Sequence, residues 1–173
     1  MQDVVIEEAI PQDALAIAEL HALSWQKTYR GMYSDAFLDN EVVQERIAVW
    51  QGRFATPNPS QYVYKAMKEG EIIGFVCFYD NIEPQYGTFI DNLHVTPTLK
   101  SRGIGKMLLQ KVARWVQANQ SLKQMYLWVL EENKAAVGFY EQCGGEMIER
   151  ILKENQEGKP NGVLRCVWKE LSI

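Results

Sequence analysis

The sequence predicts a mixed α/β fold whose sheet is part parallel and part antiparallel. The first observation is the order of patterns along the chain: strand, helices, hairpin, strand, helix, strand, helix, hairpin. The second is the balance of 47% hydrophobic and 23% charged residues in a chain of 173, which is typical of a folded globule with a sizeable core. The third is that no repeat, low-complexity tract or linker interrupts the chain, so we expect a single domain over residues 1–173.

The first third of the chain is predicted to be a strand followed by helices. Residues 4–10, VVIEEAI, form the predicted strand. The next segment has apolar residues at helical spacing, with Asp13 as a candidate N-cap and Gly31 as a stop: Leu15, Ala18, Ala22 and Trp25. Residues 34–54 are also predicted to be helical, with a break near residues 39–40.

The middle of the chain is predicted to contribute a hairpin and a central strand. The strand-like runs QYVYKAM and IIGFVCFYD flank KEGE, whose composition favours a tight turn. After a loop, TFIDNLHV is rich in apolar and β-forming residues and is predicted to be a strand inside the sheet.

The last part of the chain is predicted to be helix, strand, helix and a final hairpin. The helix covers residues 102–117 and repeats apolar residues along one side: Ile104, Met107, Leu108, Val112, Trp115 and Val116. QMYLWVL is the strand, and NKAAVGFYEQCGG is a short helix with a glycine stop. EMIERILKE and GVLRCVWKEL are the two last strands.

Charge and composition exclude several functional classes. The formal net charge is −4, so no overall basic field draws the protein to nucleic acid or to anionic lipid. No apolar run approaches the ~20 residues that span a membrane. Three cysteines without CxxC spacing and only two histidines predict no metal site. The N-terminus lacks the features of a secretion signal, so we expect reduced thiols and a cytoplasmic location.

The stretch TLKSRGIGKMLL, residues 98–109, joins a basic loop, two glycines and the start of a helix. A helix start has four backbone N–H groups without intrahelical partners, and the helix dipole adds positive charge there. Glycine lets an anion approach the backbone, and Arg102 and Lys106 offer charge-assisted hydrogen bonds. The pattern therefore predicts a phosphate-binding turn.

Two common phosphate motifs do not fit this turn. A P-loop needs a first glycine and a final hydroxyl at the positions where this chain has Lys100 and Met107. A dinucleotide-binding fingerprint needs a third glycine where this chain has Leu108. A short glycine pattern is a weak signal by itself, so a plain turn with solvated charges stays open at this point.

Two segments together carry a family resemblance. NLHVTPTLKSRGIGKMLL followed by LWVLEENKAAVGFYEQCGGE resembles the GNAT superfamily of acyl-CoA-dependent N-acyltransferases. The family pattern is Q/R-x-x-G-x-G/A after a strand, then a second strand, an Asn, and an aromatic-Tyr pair before glycine. Lys100 replaces the Gln or Arg, which puts only that side chain's role in doubt. The resemblance implies a mixed, mostly antiparallel sheet of about seven strands with about four helices, in which two parallel strands splay to hold the cofactor.

The resemblance also implies that the cofactor is acetyl-CoA. Its pantetheine arm would hydrogen-bond the main chain of residues 93–95 like an added strand, and its diphosphate would lie on the glycine-rich turn. Asn133 would contact the arm, although it is equally suited to cap the helix that follows. The residues that the resemblance assigns to cofactor binding are Leu93, His94, Val95, Lys100, Ser101, Arg102, Gly103, Ile104, Gly105, Lys106, Asn133, Phe139 and Tyr140.

Catalysis in this family needs a proton donor and a base. Tyr140 is at the position that often protonates the departing thiolate, and a core aromatic beside Phe139 is the alternative. Phe139 itself is expected to pack in the core. Asp91 is the first candidate for the base and His94 the second, since a neutral imidazole suits this work near neutral pH.

In this family the segment after the first strand usually helps to build the acceptor pocket. Trp25 and Tyr29 lie one helical turn apart and share a face, and core packing is the alternative for Trp25. Tyr29 and Tyr33, at the transition from helix to loop, are predicted to line the pocket with it. The nearby acids Asp35 and Asp39 would suit a cationic acceptor.

The resulting prediction is an acetyl-CoA-dependent N-acetyltransferase. A primary amine attacks the thioester directly in a ternary complex, and holding both reactants in line supplies much of the acceleration. The acceptor is a small amine or a peptide or protein amine. A non-catalytic acyl-CoA-binding or sensing module is the alternative, which the presence of Tyr140 beside Asn133 disfavours. Homodimers are frequent in the family, and the C-terminal strands are candidate edges for one.

Overall fold

The computed structural model of the chain describes residues 4–173, which contain seven strands and five α-helices. None of these helices has the length and apolar character that crossing a bilayer requires. The break expected near residues 39–40 divides one predicted helical segment in two, so there are five helices where about four were expected. In chain order the elements are β1 (Val5–Glu8), α1 (Ala14–Thr28), α2 (Asp35–Asn40), α3 (Val42–Ala55), β2 (Gln61–Lys68), β3 (Glu71–Glu83), β4 (Gly87–Val95), α4 (Ile104–Asn119), β5 (Met125–Leu130), α5 (Lys134–Gln142), β6 (Glu146–Glu154) and β7 (Pro160–Trp168).

The seven strands form one sheet in the order β1-β2-β3-β4-β5-β7-β6. Antiparallel pairing joins β1 to β2, β5 to β7 and β6 to β7. β4 and β5 pair in parallel, with Thr88 opposite Met125 and Ile90 opposite Leu127. This ladder ends before either strand does. The predicted mixed, mostly antiparallel sheet is confirmed.

The fold divides into two compact units. Unit 1 contains the chain up to Cys77 together with Asn92–Leu109, and unit 2 contains Phe78–Asp91 together with Gln110–Ile173. The single domain expected from the sequence stays a prediction.

In unit 1 the buried face of α1 is rotated relative to the predicted apolar face. Leu15 was expected on the apolar stripe but is 49% exposed, because the helix begins at Ala14 and the stripe repeats from there. Asp13 does not cap α1 with its side chain. Instead, its carboxylate accepts from the N–H of Ile10 at 2.8 Å and pairs with the buried ammonium of Lys65 at 2.8 Å. The buried residues of α1 are Ala14, Ile17, Ala18, Leu20, His21, Ala22, Ser24 and Trp25.

Two glycines shape β3 and its surroundings. The predicted hairpin turn is present: Glu69 and Gly70 connect β2 to β3, and both have positive φ, at 52° and 83°. Gly74 lies farther along β3, where a Cβ would come within 3.0 Å of the carbonyl oxygen of His94 and 3.4 Å of Ile104. Glycine at this position therefore lets the start of α4 pack close to the strands.

Unit 2 contains a buried arginine that no sequence pattern indicates. Arg165 on β7 is only 5% exposed, and its guanidinium lies 3.8 Å from the ring centre of Tyr86 and 4.2 Å from that of Trp128. It donates to Glu83 at 2.8 Å and to Glu149 at 2.7 Å. Its burial is compensated by these hydrogen bonds and ring contacts, which makes it a structural element of the unit.

Candidate active site

The end of the loop between β4 and α4 and the first turn of α4 together present a row of backbone N–H groups at residues 102–106, and we call this segment the cradle loop. Within residues 4–173, no backbone hydrogen bond uses these N–H groups, and the first helical bond is from the N–H of Met107 to the carbonyl of Gly103 at 3.0 Å. Ser101 and Gly103 have φ values of 64° and 82°, and turns of this kind direct successive N–H groups toward an anion. A Cβ at Gly103 would meet no atom within 4 Å, so the space beside it is open. The loop therefore offers donors to an anion, and the prediction that this anion is a diphosphate stays a prediction.

Lys100 is attached to α1 at the start of this loop. Its ammonium donates to the hydroxyl of Thr28, the last residue of α1, at 2.9 Å. Burial lowers the pKa of the Lys100 amine. A cation at a helix C-terminus is favoured by the helix dipole. Lys100 thus holds the loop near the end of α1, and its predicted contact with the cofactor stays a prediction.

The second half of β4 holds the residues predicted to contact the pantetheine arm. Leu93 and His94 are partly exposed and Val95 is buried. Asp91, the first candidate for the base, is half-buried just after the ladder with β5 ends. The neighbouring Asn92 accepts from Nη1 of Arg53 at 2.8 Å through its side-chain carbonyl.

In unit 2, Asn133 is the N-cap of α5. Its Oδ1 accepts from the N–H of Ala136 at 3.3 Å, which is the capping role that the sequence allowed. No hydrogen bond within residues 4–173 uses its Nδ2, so capping leaves the two amide donors for another partner. The predicted contact with the cofactor arm stays a prediction.

Tyr140 lies on the buried side of α5. It is 8% exposed, and its ring meets that of Trp168 edge-on at 5.7 Å and that of Phe139 at 5.2 Å. The helix ends at Gln142, and the predicted glycine stop follows it: Gly144 has a φ of 87°, and the N–H of Gly145 donates to the carbonyl of Tyr140 at 2.9 Å. These contacts fix the position of the Tyr140 ring.

In unit 1, His94 belongs to a cluster of polar side chains that sequence patterns did not indicate. Its Nδ1 lies 2.9 Å from Oγ of Ser24, and its ring centre lies 4.4 Å from that of His21. His21 is fully buried and accepts from the indole N–H of Trp50 at 2.9 Å. The one signal in the sequence is that a histidine and a serine interrupt the apolar stripe of α1, where polar residues are uncommon.

Both imidazoles of this cluster are held neutral. Burial lowers the pKa of His94 to about 3, with further contributions from the charges of Lys100 and Arg46. Burial also lowers the pKa of His21 well below its ordinary value, and His94, Arg46 and Arg53 add to the effect. The two rings therefore act as hydrogen-bonding groups at neutral pH, with no charge of their own.

The predicted acceptor residues form an aromatic cluster with Phe37 at the end of α1. Trp25 is 7% exposed and packs against Tyr29 and Tyr33 with ring centres 5.3 Å apart in both pairs. Tyr33 also stacks on Phe37 at 5.7 Å. Burial raises the pKa of Tyr29. Trp25 is thus a core residue, as its alternative interpretation had it, while the partly exposed Tyr29 and Tyr33 form the outer wall of the cluster.

The two acids near this aromatic cluster, Asp35 and Asp39, form ion pairs with a nearby arginine. Arg30 pairs with Asp35 at 3.0 Å and also with Asp39. The pKa of Asp39 is lowered by its hydrogen bond to Arg30. These two acids were expected to suit a cationic acceptor, but their charge is shared with the guanidinium, so they give that expectation little support.

The cysteines and acids of residues 4–173 bear on two further kinds of site, a metal site and a thiol nucleophile. No group of three or more His, Cys, Asp or Glu side chains there is placed to hold a metal ion. Cys77, Cys143 and Cys166 are buried and not disulfide-bonded. Burial raises the pKa of Cys166 to about 12, with smaller effects from Glu141 and Cys143, so its thiol is a poor nucleophile.

Comparison with known proteins gives a consistent match. Residues 15–145 match the model of the acetyltransferase (GNAT) family. The uncharacterised N-acetyltransferase YuaI of Bacillus subtilis is 28% identical over 158 residues, which cover 89% of this chain and 85% of that protein. The thialysine N-epsilon-acetyltransferase of Mus musculus is 30% identical over 77 residues, 43% of this chain and 45% of that protein.

Solved structures match over nearly the whole chain. The PaiA N-acetyltransferase of Thermoplasma acidophilum, solved in complex with coenzyme A, has a TM-score of 0.75 and 17% identity, covering 94% of this chain and 98% of that one. An acetyltransferase of the GNAT family from Streptococcus pneumoniae has a TM-score of 0.68 and 23% identity, covering 96% and 99%. At such identities the likeness is one of fold.

Proposed function

The chain belongs to the GNAT family of acetyltransferases, and we propose that it is an acetyl-CoA-dependent N-acetyltransferase acting on a primary amine. The observation that carries this proposal is the cradle loop, whose N–H groups have no backbone acceptor within the described part of the chain and which has open space beside Gly103. A diphosphate satisfies such donors, and a helix N-terminus stabilises its charge. The coenzyme A bound to the PaiA structure supports the same ligand.

Each part of the cofactor has proposed binding residues. The cradle loop holds the diphosphate, and the exposed Arg102 and Lys106 add charge-assisted hydrogen bonds. The main chain of residues 93–95 and Nδ2 of Asn133 hold the pantetheine arm. The bound acetyl-CoA supplies an acyl group activated as a thioester, and a main-chain N–H of β4 polarises its carbonyl.

Two roles remain for side chains at the reacting atoms. Tyr140 provides a proton for the leaving sulfur, since its ring is fixed by Trp168 and its hydroxyl is a suitable donor. A base on β4 receives the proton that the amine loses, and the candidates are Asp91 and His94.

We propose a small amine as the acceptor, bound against the outer wall formed by Tyr29 and Tyr33. The partly exposed rings of these residues offer an aromatic surface to the aliphatic part of such a molecule. The thialysine acetyltransferase among the relatives supports an amino-acid-like amine. A peptide or protein amine is the competing acceptor.

Thiol release tests the proposed activity. The purified protein is mixed with acetyl-CoA and a panel of small amines and N-terminal peptides, and free coenzyme A is followed with a thiol reagent. We expect amine-dependent release with at least one small amine. Binding of coenzyme A by calorimetry, without release above the amine-free rate for any acceptor, would favour the non-catalytic acyl-CoA-binding module.

We also propose a homodimer joined through β6. This strand ends the sheet, and Ile148, Ile151 and Leu152 on it are 44%, 37% and 65% exposed. Antiparallel pairing with a second copy about Ile151 would set this side chain opposite its own copy and Glu149 opposite Lys153. Sedimentation equilibrium tests this: Leu152→Lys is expected to weaken the dimer, and a monomeric wild type at micromolar concentrations would contradict it.

The compartment proposed is the cytoplasm. The three cysteines are not disulfide-bonded, which agrees with a reducing environment. Fractionation of cells that produce the protein without a tag would test this location.

A further inference from the structure

The proposed roles leave most of a buried group of hydrogen-bonding side chains in unit 1 unexplained, since only His94 among them has been given a candidate role. It runs from Trp50 on α3 to His21 on α1, and from Ser24 on α1 to His94 on β4, with the two imidazoles 4.4 Å apart. His21 is fully buried and Ser24 is 2% exposed. Buried polar groups of this kind are expensive unless their hydrogen bonds are specified, so their arrangement is informative.

The tautomer of His21 follows from its partner. An indole N–H can only donate, so Nδ1 of His21 must carry a lone pair toward Trp50, and the imidazole proton is on Nε2. That Nε2 is buried and has no hydrogen-bond partner within residues 4–173. A second proton on His21 would place its Nδ1–H opposite the indole N–H of Trp50, and two donors repel each other. His21 is therefore held neutral, with its ring packed beside that of His94.

The two nitrogens of His94 have different surroundings. Nδ1 faces the hydroxyl of Ser24 at 2.9 Å. His94 is partly exposed. Within residues 4–173 its Nε2 makes no hydrogen bond, and this nitrogen is not fully buried. Nε2 is therefore the nitrogen that an incoming molecule can reach.

We propose that Ser24 is a positioning residue that accepts the Nδ1–H of His94, so that the Nε2 lone pair of His94 serves as the base. This inference rests on the proposed function and selects His94 over Asp91. As the amine nitrogen bonds to the acyl carbon and the carbon–sulfur bond breaks, the electron pair leaves with sulfur, which takes a proton from Tyr140. The proton lost by the nitrogen goes to Nε2 of His94.

The charges around His94 suit this role. Lys100 from the loop before α4 and Arg46 from α3 act on His94, and His21 is the titratable group beside it. Burial and the two cations disfavour a resting positive charge on the ring, so the Nε2 lone pair is available near neutral pH. A weak base is sufficient, because an amine nitrogen becomes strongly acidic once it acquires amide character.

Nitrogen NMR of the protein labelled with 15N-histidine tests the tautomers without any turnover. We expect His94 to show a protonated Nδ1 and a bare Nε2, His21 to show the reverse, and neither to titrate above pH ~5. In Ser24→Ala the His94 signals should shift toward the Nε2–H form that free imidazole side chains prefer, and Ser24→Thr should restore them. A bare Nδ1 on His94 in the wild type, or unchanged signals in Ser24→Ala, would overturn the proposal.

Kinetics give the second measurement. We expect Ser24→Ala to lower kcat about 10- to 100-fold with little change in the KM for acetyl-CoA, and Ser24→Thr to recover most of it. In a His94→Gln background, Ser24→Ala should have no further effect, since the two residues act as one unit. Ser121→Ala, on the exposed turn after α4, is the matched control and should behave as wild type.

The outcomes separate this inference from the proposed function. If no amine supports thiol release by the wild type, the proposed function fails, and the NMR result still reports whether Ser24 sets the tautomer. If the wild type is active while Ser24→Ala and His94→Gln keep full kcat and Asp91→Asn loses it, the base is Asp91 and the inference is refuted.

Discussion

Replacing Gly103 by alanine separates backbone strain from cofactor binding. Gly103 in the cradle loop and Gly70 in the β2–β3 turn have φ values of 82° and 83°, and a Cβ at either site would meet no atom within 4 Å. An L-residue in this region costs about 1–2 kcal/mol. For a chain of this length that corresponds to a loss of roughly 2–8 °C in Tm. Because the two sites match, we expect the same loss in Gly103→Ala and in Gly70→Ala.

Only one of these glycines lies among the N–H groups proposed to hold the diphosphate. A methyl group at Gly103, or the backbone shift that relieves its strain, removes at least one hydrogen bond to a charged oxygen, worth about 1.5–3 kcal/mol. Since about 1.4 kcal/mol is a factor of ten in an equilibrium constant, the Kd for coenzyme A should rise about 10- to 150-fold. Gly70→Ala should leave that Kd unchanged.

Isothermal titration calorimetry with coenzyme A, alongside thermal unfolding without ligand, makes both measurements on the same samples. A wild-type Kd in Gly103→Ala together with equal Tm losses would refute the cradle loop as the diphosphate site. An equally weakened Kd in Gly70→Ala would attribute the effect to general destabilisation.

Three further changes test other parts of the structure. Tyr140→Phe keeps the packed ring and removes the hydroxyl, so in steady-state assays kcat should fall about 100-fold or more while Tm stays near that of the wild type. Gly145→Ala would place a Cβ 2.3 Å from Sγ of Cys166, so urea titration should show about 1–3 kcal/mol less free energy of unfolding. His21 and His94 have native pKa values below the ordinary 6.5, so as pH falls below that value the unfolded chain binds protons that the native chain does not. The free energy of unfolding should therefore decrease toward acid by up to about 1.4 kcal/mol per pH unit for each histidine, and His94→Gln should reduce that slope.

Local patterns were sufficient for most of the elements. KEGE contains the two residues that form the β2–β3 turn, Glu69 and Gly70, and the Gly-Gly pair lies directly after the C-cap of α5, where Gly144 has a positive φ. The break predicted near residues 39–40 falls at Glu41, between α2 and α3. Turns and helix ends depend on the backbone conformations that individual residues allow, so they can be identified from a few neighbouring residues.

The site was less predictable because its contacts join distant segments. Ser24 and His94 are 70 positions apart, and Thr28 and Lys100 are 72 apart. The spacing of hydrophobic residues predicts helices and strands but not contacts between residues so far apart in the sequence. The cluster around His94 could therefore not be derived from spacing. The pairing of Arg30 with Asp35 and Asp39 was not predicted for a related reason: whether Arg30 reaches them depends on the bend after α1, which the sequence does not specify in detail.

The absence of a side chain at Gly74 has a consequence for the packing between β3, β4 and α4. A Cβ there would lie 3.0 Å from the carbonyl oxygen of His94, 3.3 Å from Leu108 and 3.4 Å from Ile104. Any larger residue would require the end of β4 or the first turns of α4 to shift by a few tenths of an ångström, which would move the N–H groups proposed to hold the diphosphate. Gly74 therefore determines how closely the first turns of α4 can approach β4, although it is not itself one of the residues proposed to bind the cofactor.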